Sequence, residues 1–230
     1  MFISKSKIVS LIKEWGLFLV LVLLLFAGRS AIADWNRIPS GSMEPTLYVG
    51  DLILVNKLAY DLKVPFTTTH FAQWANPKRG EIVVFYKPGD GQRLIKRIIG
   101  TPGDIVEMKN NLLIINGKQT NYKIDKNPLR YKLPKEEQSL AIVATEYLDK
   151  KGHAVMALAT QPALRTFGPL KVPEGEFLML GDSRDNSGDS RYFGFVPRKQ
   201  IVGRAERVIL SWDKDDFYKP RFKRFFQQLV

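Results

Sequence analysis

The run RLIKRIIGTPGDIVEMKNNLLIINGKQ, residues 93–119, decides the fold class. Its apolar stretches, 94–99, 104–109 and 112–115, are short, rich in Ile, Leu and Val, and separated by Thr-Pro-Gly, Asn-Asn and Asn-Gly. Stretches of this length bounded by turn residues read as strands rather than helices. Asn116-Gly117 is the mark of a type I′ turn, whose two central residues both need positive φ, and predicts a tight hairpin. Outward from this run the same pattern recurs at 51–56, 81–86, 176–180 and 201–212, and few segments look helical. The expectation is a mainly β fold, its body formed by residues 34–117 and 171–212. Residues 118–170 are more polar, richer in Lys, Glu and Pro, and weaker in alternation; they read as a smaller inserted lobe. Residues 213–230 form a basic aromatic tail, with Phe217, Phe222, Phe225 and Phe226 among Lys219, Arg221, Lys223 and Arg224. Such a mixture suits a segment touching anionic lipid, or equally a solvated tail docked by a few rings.

Composition removes several chemistries. The 230 residues include 35 Lys+Arg against 23 Asp+Glu, a formal charge of +12, with two histidines and no cysteine. Without Cys there is no disulfide framework, no thiol nucleophile and no thiolate metal site. At 45% apolar and 25% charged the chain can build an ordinary core. The basic excess attracts anionic partners; lipid headgroups are expected here and nucleic acid is not.

Residues 15–28, WGLFLVLVLLLFAG, are uncharged, with Lys5, Lys7 and Lys13 before them and Arg29 after. As a helix this run rises about 21 Å, short of a ~30 Å hydrocarbon layer. Flanks reaching back to Ile8 or forward to Ala33 make up the length, with long basic side chains extending to the headgroups. Residues 1–33 are therefore expected to be a cytoplasmic tip and a transmembrane helix. The upstream lysines set the N terminus in the cytoplasm and everything after residue 34 outside. The same features, with Ala31-Ile32-Ala33, also describe a secretory signal cleaved after Ala33; the topology is then unchanged and the tether is lost.

Three stretches carry candidate chemistry. In IPSGSMEPTL, residues 38–47, Ser40 and Ser42 sit in a Gly/Pro-framed turn, a composition that linkers share. In residues 93–100 two cations stand inside an apolar strand. Period-two alternation puts Lys96 on one face with Leu94 and Ile98, and Arg97 on the other with Ile95 and Ile99. One of them is expected to face apolar surroundings; solvated cations on an edge strand are the alternative. Alternation does not choose between the two, but chemistry does. A dry lysine loses its proton and becomes a base, whereas arginine stays protonated. GDSRDNSGDSR, residues 181–191, follows the apolar run EFLML and reads most simply as a hydrogen-bonded turn. Arg184 and Arg191, interleaved with Asp182, Asp185 and Asp189, argue against a calcium loop. No metal and no cofactor are expected.

In this order behind an apolar N-terminal segment, PSGSM, IKRIIGTPGD and GDSRDNSGDSR resemble the bacterial type I signal peptidases, over residues 15–117 and 174–212. The resemblance implies a signal-peptidase-like β-sheet body and a membrane-anchored serine endopeptidase. Such enzymes cleave signal peptides from exported preproteins after small residues at −1 and −3. It implies Ser42 as nucleophile, Lys96 as general base, and the Ser40 hydroxyl with the Ser42 N–H as oxyanion hole. Ser187 is the implied residue that orients the lysine, with Asp189 and Arg191 in support, and Ile38, Met43, Leu47 and Ile95 are the implied pocket walls. Ser183 stands where the family usually has Asn, so a side-chain amide at that position has no counterpart here. The implied setting is a bacterial inner membrane, single-pass, with an extracytoplasmic catalytic body, preproteins and the bilayer as partners, and a monomeric state. A lysine base at neutral pH needs its pKa lowered from near 10.4 by about three, worth about 4 kcal/mol, which burial can supply.

Three rival readings stand beside this one. A Ser-His-Asp hydrolase would need His70 or His153, and neither lies in a catalytic sequence context. An exported basic module would bind polyanions and catalyse nothing. A specialised peptidase serving one secretion or conjugation system would keep the fold and change the substrate.

Overall fold

The computed structural model describes residues 15–23, 25, 31–64, 67, 69–127 and 141–229. In chain order the strands are β1 (Ala33–Arg37), β2 (Asp51–Asn56), β3 (Asp61–Lys63), β4 (His70–Gln73), β5 (Ile82–Tyr86), β6 (Arg93–Gly100), β7 (Ile105–Lys109), β8 (Leu112–Ile115), β9 (Lys118–Gln119), β10 (Asn121–Ile124), β11 (Ala141–Leu148), β12 (Lys151–Leu158), β13 (Phe167–Lys171), β14 (Glu176–Leu180), β15 (Val196–Pro197), β16 (Ile201–Asp213) and β17 (Lys219–Pro220). A single helical turn, α1 (Ser190–Phe193), follows β14. The fold is mainly β, as expected.

The largest sheet runs β1-β2-β16-β5-β6-β14-β15, with β17 added to β16. Smaller sheets are β13-β7-β8-β9, β10-β11-β12 and the pair β3-β4. Strand β2 alternates as a half-covered strand should, with Ile53 and Val55 fully buried and Leu52 and Leu54 less so. Strand β5 is instead buried on both faces. Val84 packs with Ile38, Met43, Leu47, Ile53 and Val55, while Val83 and Phe85 pack with Tyr60, Ile98, Phe177 and Met179. A third cluster joins Ile99, Leu178 and Leu180 to Val106, Met108 and Leu113 of the four-stranded sheet. Strand β6 is thus the hinge of the core, with hydrophobic layers on both sides.

The Asn116-Gly117 turn forms as predicted, with φ of 51° and 75° and Ile115 opposite Lys118. Predicted strands 51–56, 112–115 and 176–180 coincide with β2, β8 and β14, and the others differ by one residue at their ends. The long hairpin β11–β12, in register from Ala141↔Leu158 to Leu148↔Lys151, gave no such signal. Its turn, Asp149-Lys150, has φ of 46° and 71°, the same geometry as Asn-Gly without the glycine that announces it.

Residues 15–23 are helical, with Leu17, Phe18 and Leu21 exposed. The rest of the expected tip and membrane segment, 1–14, 24 and 26–30, lies outside the described residues. Among the described residues no helix is long and apolar enough to cross a membrane. Ala33, the end of the candidate cleavage triplet, opens β1 opposite Asn56. The tail folds back on the body. Arg224 Nη2 lies 2.6 Å from Asp51 Oδ2, its guanidinium covers the Tyr48 ring at 4.4 Å, and Leu229 packs on the Ile38–Met43 cluster. Phe217, Phe222 and Phe226 remain exposed.

Candidate active site

Ser42 sits in a single 3-10 turn, Gly41–Met43, with Met43 buried as its anchor. The loop carrying it is closed on β2 by the Ile38 N–H to the Asp51 carbonyl, 2.8 Å, and the Gly50 N–H to the Ile38 carbonyl, 3.1 Å. This leaves Ser42 half-buried at the rim, facing β6. Lys96 reaches it from mid-strand, with Nζ 2.6 Å from Ser42 Oγ. Lys96 is only 3% exposed, and among the described residues no carboxylate lies within ion-pair distance of it. Burial pushes the ammonium down from 10.5 to about 8; Arg191 adds to the fall, and the more distant Asp189 and Asp182 partly oppose it.

Arg97, on the opposite face, is buried as deeply and treated differently. Its Nε and Nη2 meet Asp182 Oδ1 and Oδ2 at 2.9 and 2.8 Å, and Nη1 donates to the Gly80 carbonyl at 2.7 Å. Asp182 also accepts from Thr46 Oγ1 at 2.5 Å. Burial would raise the Asp182 carboxyl, but Arg97 holds it below the ordinary range. Lys96 and Arg97 are therefore both buried, not one of them.

The loop after β14 meets Ser42 at Gly181. A Cβ there would lie 2.4 Å from the Ser42 carbonyl oxygen and 2.3 Å from Ser187 Oγ, so only glycine permits the approach. Every other charged member of the loop has a partner. Arg184 Nη2 lies 2.6 Å from Glu146 Oε2, Asp185 accepts from Arg165 Nε at 3.1 Å, and Arg191 grips Asp189 through Nε and Nη2, both at 2.8 Å. Asp189 also accepts the Gly181 N–H at 3.0 Å, tying the end of the loop to its start. Strand β12 backs the loop, the Met156 N–H donating to Asp182 and the Arg184 N–H to Met156. Ser183 is fully buried and acts through its backbone, its N–H donating to the Ser42 carbonyl at 3.2 Å.

The remaining predicted residues fall as follows. Ser40 is exposed and extended at the lip of a cleft of about 250 Å³ lined by residues 36–40, Ser42, Met43 and 93–96. Ile38, Met43 and Ile95 wall this cleft; Leu47 does not, being fully buried behind Met43 in the core. Ser187 Oγ is buried and makes no hydrogen bond. His153 lies buried 3.3 Å from Glu146 and 3.9 Å from Asp182, and burial pushes it down. His70 Nδ1 is 3.0 Å from Asp61. Among the described residues neither histidine bonds to a serine, and no group of three or more His, Asp and Glu is placed to hold a metal. Sequence reasoning missed Arg97, Thr46, Glu146 and Arg165 as supports, because their partners lie far along the chain and no spacing announces them. Gly181 stands out in the sequence only as the start of a motif.

The chain is similar to known signal peptidases. The family model described as signal peptidase, peptidase S26, matches residues 12–212. A signal peptidase I of Pseudomonas fluorescens is 36% identical, covering 96% of this chain and 81% of its own length. One from Pseudomonas aeruginosa is 38% identical over 90% and 74%, and one from Aquifex aeolicus 39% over 85% and 82%. A crystal structure of a signal peptidase I from Enterococcus faecalis aligns with a TM-score of 0.35 at 33% identity, covering 56% of this chain and 97% of that one.

Proposed function

Because this chain belongs to the signal peptidase, peptidase S26, family, we propose that it is a serine endopeptidase that removes signal peptides from exported preproteins. The observation that carries the reading is the 2.6 Å contact between Ser42 Oγ and the buried Lys96 Nζ. A serine hydroxyl is a weak nucleophile until a base takes its proton. With its pKa near 8, Lys96 is deprotonated in a useful fraction of molecules near neutrality. Its lone pair accepts the Ser42 proton as Oγ attacks the scissile carbonyl. The same ammonium then delivers that proton to the leaving amine, and an acyl-enzyme remains for water to hydrolyse. Lysine takes the part that imidazole plays in the Ser-His-Asp arrangement.

The developing oxyanion is met by the Ser42 N–H and the Ser40 hydroxyl, which lies on the same cleft. Ser187 makes no hydrogen bond to Lys96 as the site stands; its buried hydroxyl, without another partner, is the group that would turn to orient Lys96 when substrate binds. The Asp189–Arg191 pair holds the loop that carries Ser187. The shallow cleft walled by Ile38, Met43 and Ile95 suits small side chains at −1 and −3. Residues 15–28 with their flanks anchor the chain in a bacterial inner membrane, the body outside the cytoplasm, which raises its effective concentration toward membrane-held preproteins. The test is incubation of detergent-solubilised protein with a preprotein. Cleavage after a small-x-small triplet is expected, absent in Ser42→Ala and Lys96→Ala and nearly unchanged when both histidines are replaced; the reverse pattern overturns the reading.

A further inference from the structure

Tyr122, Glu146 and His153 are cross-strand partners on β10, β11 and β12, so they form one row across the three-stranded sheet. Glu146, at the centre of the row, is fully buried. The Tyr122 hydroxyl donates to its Oε1, and His153 Nε2 lies 3.3 Å from its Oε2. The arginine that balances it comes from outside the sheet: Arg184 Nη2 donates to Oε2 at 2.6 Å. Burial alone would raise the Glu146 carboxyl, and Arg184 holds it well below the ordinary range. A carboxylate taken out of water is costly unless it is paired, and this one is paired with the loop that faces Ser42.

Two short routes lead from Arg184 to Ser42 and Lys96. Its Nε donates to the Gly181 carbonyl at 3.2 Å, and its own carbonyl accepts from Arg191 Nη2 at 2.6 Å. Gly181 is the residue against which the Ser42 carbonyl packs, and Arg191 is a charge that Lys96 feels. The backbone follows the same path. Asp182 and Arg184 bond to Met156 of β12, while Ser183 between them turns its N–H to the Ser42 carbonyl. One layer of residues thus separates β12 from the nucleophile turn. Among the described residues the cleft takes none of its lining from β10, β11 or β12.

We propose that Glu146 is a positioning residue: through Arg184 it fixes the loop 181–191 where Gly181 and Ser183 hold the Ser42 turn against Lys96. The inference rests on the peptidase reading and extends the machinery of that reaction to a sheet that lines no part of the cleft. Without the carboxylate Arg184 shifts, Gly181 follows, and Ser42 Oγ leaves its 2.6 Å contact with Lys96 Nζ. Misplacement of that kind slows the chemical step and leaves affinity for the substrate alone. Tyr122 props Glu146 from behind, its oxygen accepting the Leu113 N–H of β8 at 3.0 Å. His153 is the outlying member of the row, which agrees with its replacement being tolerated.

Cleavage kinetics on one preprotein and thermal melts of three variants test it: Glu146→Gln, Arg184→Gln and the two together. Each single substitution should lower kcat about tenfold with KM held within about twofold. Each should also lower the melting midpoint by about 10 °C, because one buried charge loses its partner. In the double variant both charges leave together, so the midpoint should return most of the way while kcat falls no further than in the worse single variant. Stability that recovers without kcat is what an ion pair serving the fold alone does not give. A kcat that returns to the parental value with the midpoint, or a loss carried by KM, overturns the proposal and leaves the peptidase reading intact. If a single variant does not fold, the charge-balanced double variant decides by the same criterion. Failure of the unsubstituted protein to cleave any preprotein removes the peptidase reading, and the role of Glu146 with it.

Discussion

Lys96 and Arg97 are adjacent on one strand, both almost completely buried, and their surroundings are opposite. Arg97 is met by a bidentate carboxylate and a carbonyl, so its charge is balanced where it lies. Lys96 is met by a hydroxyl and by aliphatic neighbours, so its charge is not balanced and its proton is held loosely. A buried cation with a counter-ion is a structural tie; one without is a base in waiting. Two faces of one strand thus separate a joint of the fold from a chemical group. The loop 181–191 serves both, through Asp182 on one side and Gly181 on the other.

The largest effect should come from removing the group on the Lys96 face. Ser42→Ala and Lys96→Met should each lower preprotein cleavage by about 10⁴-fold or more, since in the proposed mechanism the two act as one unit. Lys96→Met should at the same time stabilise the fold. The unfolded lysine binds its proton up to about 10.5 and the folded one only up to about 8, so stability rises with pH across that interval. Below it the folded state carries the full cost, and at pH 7 Lys96→Met should gain roughly 3 kcal/mol in denaturant melts. A Lys96→Met variant no more stable than the parent would break the contrast between the two faces.

The Arg97 face should respond in the opposite way. Asp182→Asn strands a buried guanidinium and should cost about 3–5 kcal/mol. Next in size is Gly181→Ala, whose methyl must displace the Ser42 carbonyl or Ser187. A loss of about 1–3 kcal/mol is expected, with kcat falling about tenfold because the nucleophile turn moves. The smallest effect is on the pH profile. Activity should rise about tenfold per pH unit in acid and level off near pH 8, as Lys96 loses its proton. Asp189 favours the ammonium form and Arg191 opposes it, so Asp189→Asn should move the midpoint to lower pH. A shift to higher pH would show that the carboxylate acts on Lys96 by another route.

Much of the fold was legible because apolar runs bounded by Gly, Pro and Asn carry the period of a strand locally. Strands β2, β8 and β14 and the Asn116-Gly117 turn are such cases. The β11–β12 hairpin was not legible: its turn is Asp149-Lys150, and its strands hide much of both faces, which erases alternation. At the candidate site, three short motifs named Ser42, Lys96 and the loop that faces them. The same motifs offered Leu47 as a cleft wall, yet it lies fully buried in the core.

The sequence by itself determined the strand pattern, the absence of thiol chemistry and the choice of lysine over arginine as the candidate base. These follow from properties each residue carries wherever it is placed. Which cation would be neutralised, which glycine would admit no side chain, and that Glu146 would meet Arg184 behind the loop 181–191 were decided only by the tertiary structure. Each depends on the distance and dielectric between groups far apart in the chain, and folding alone sets both.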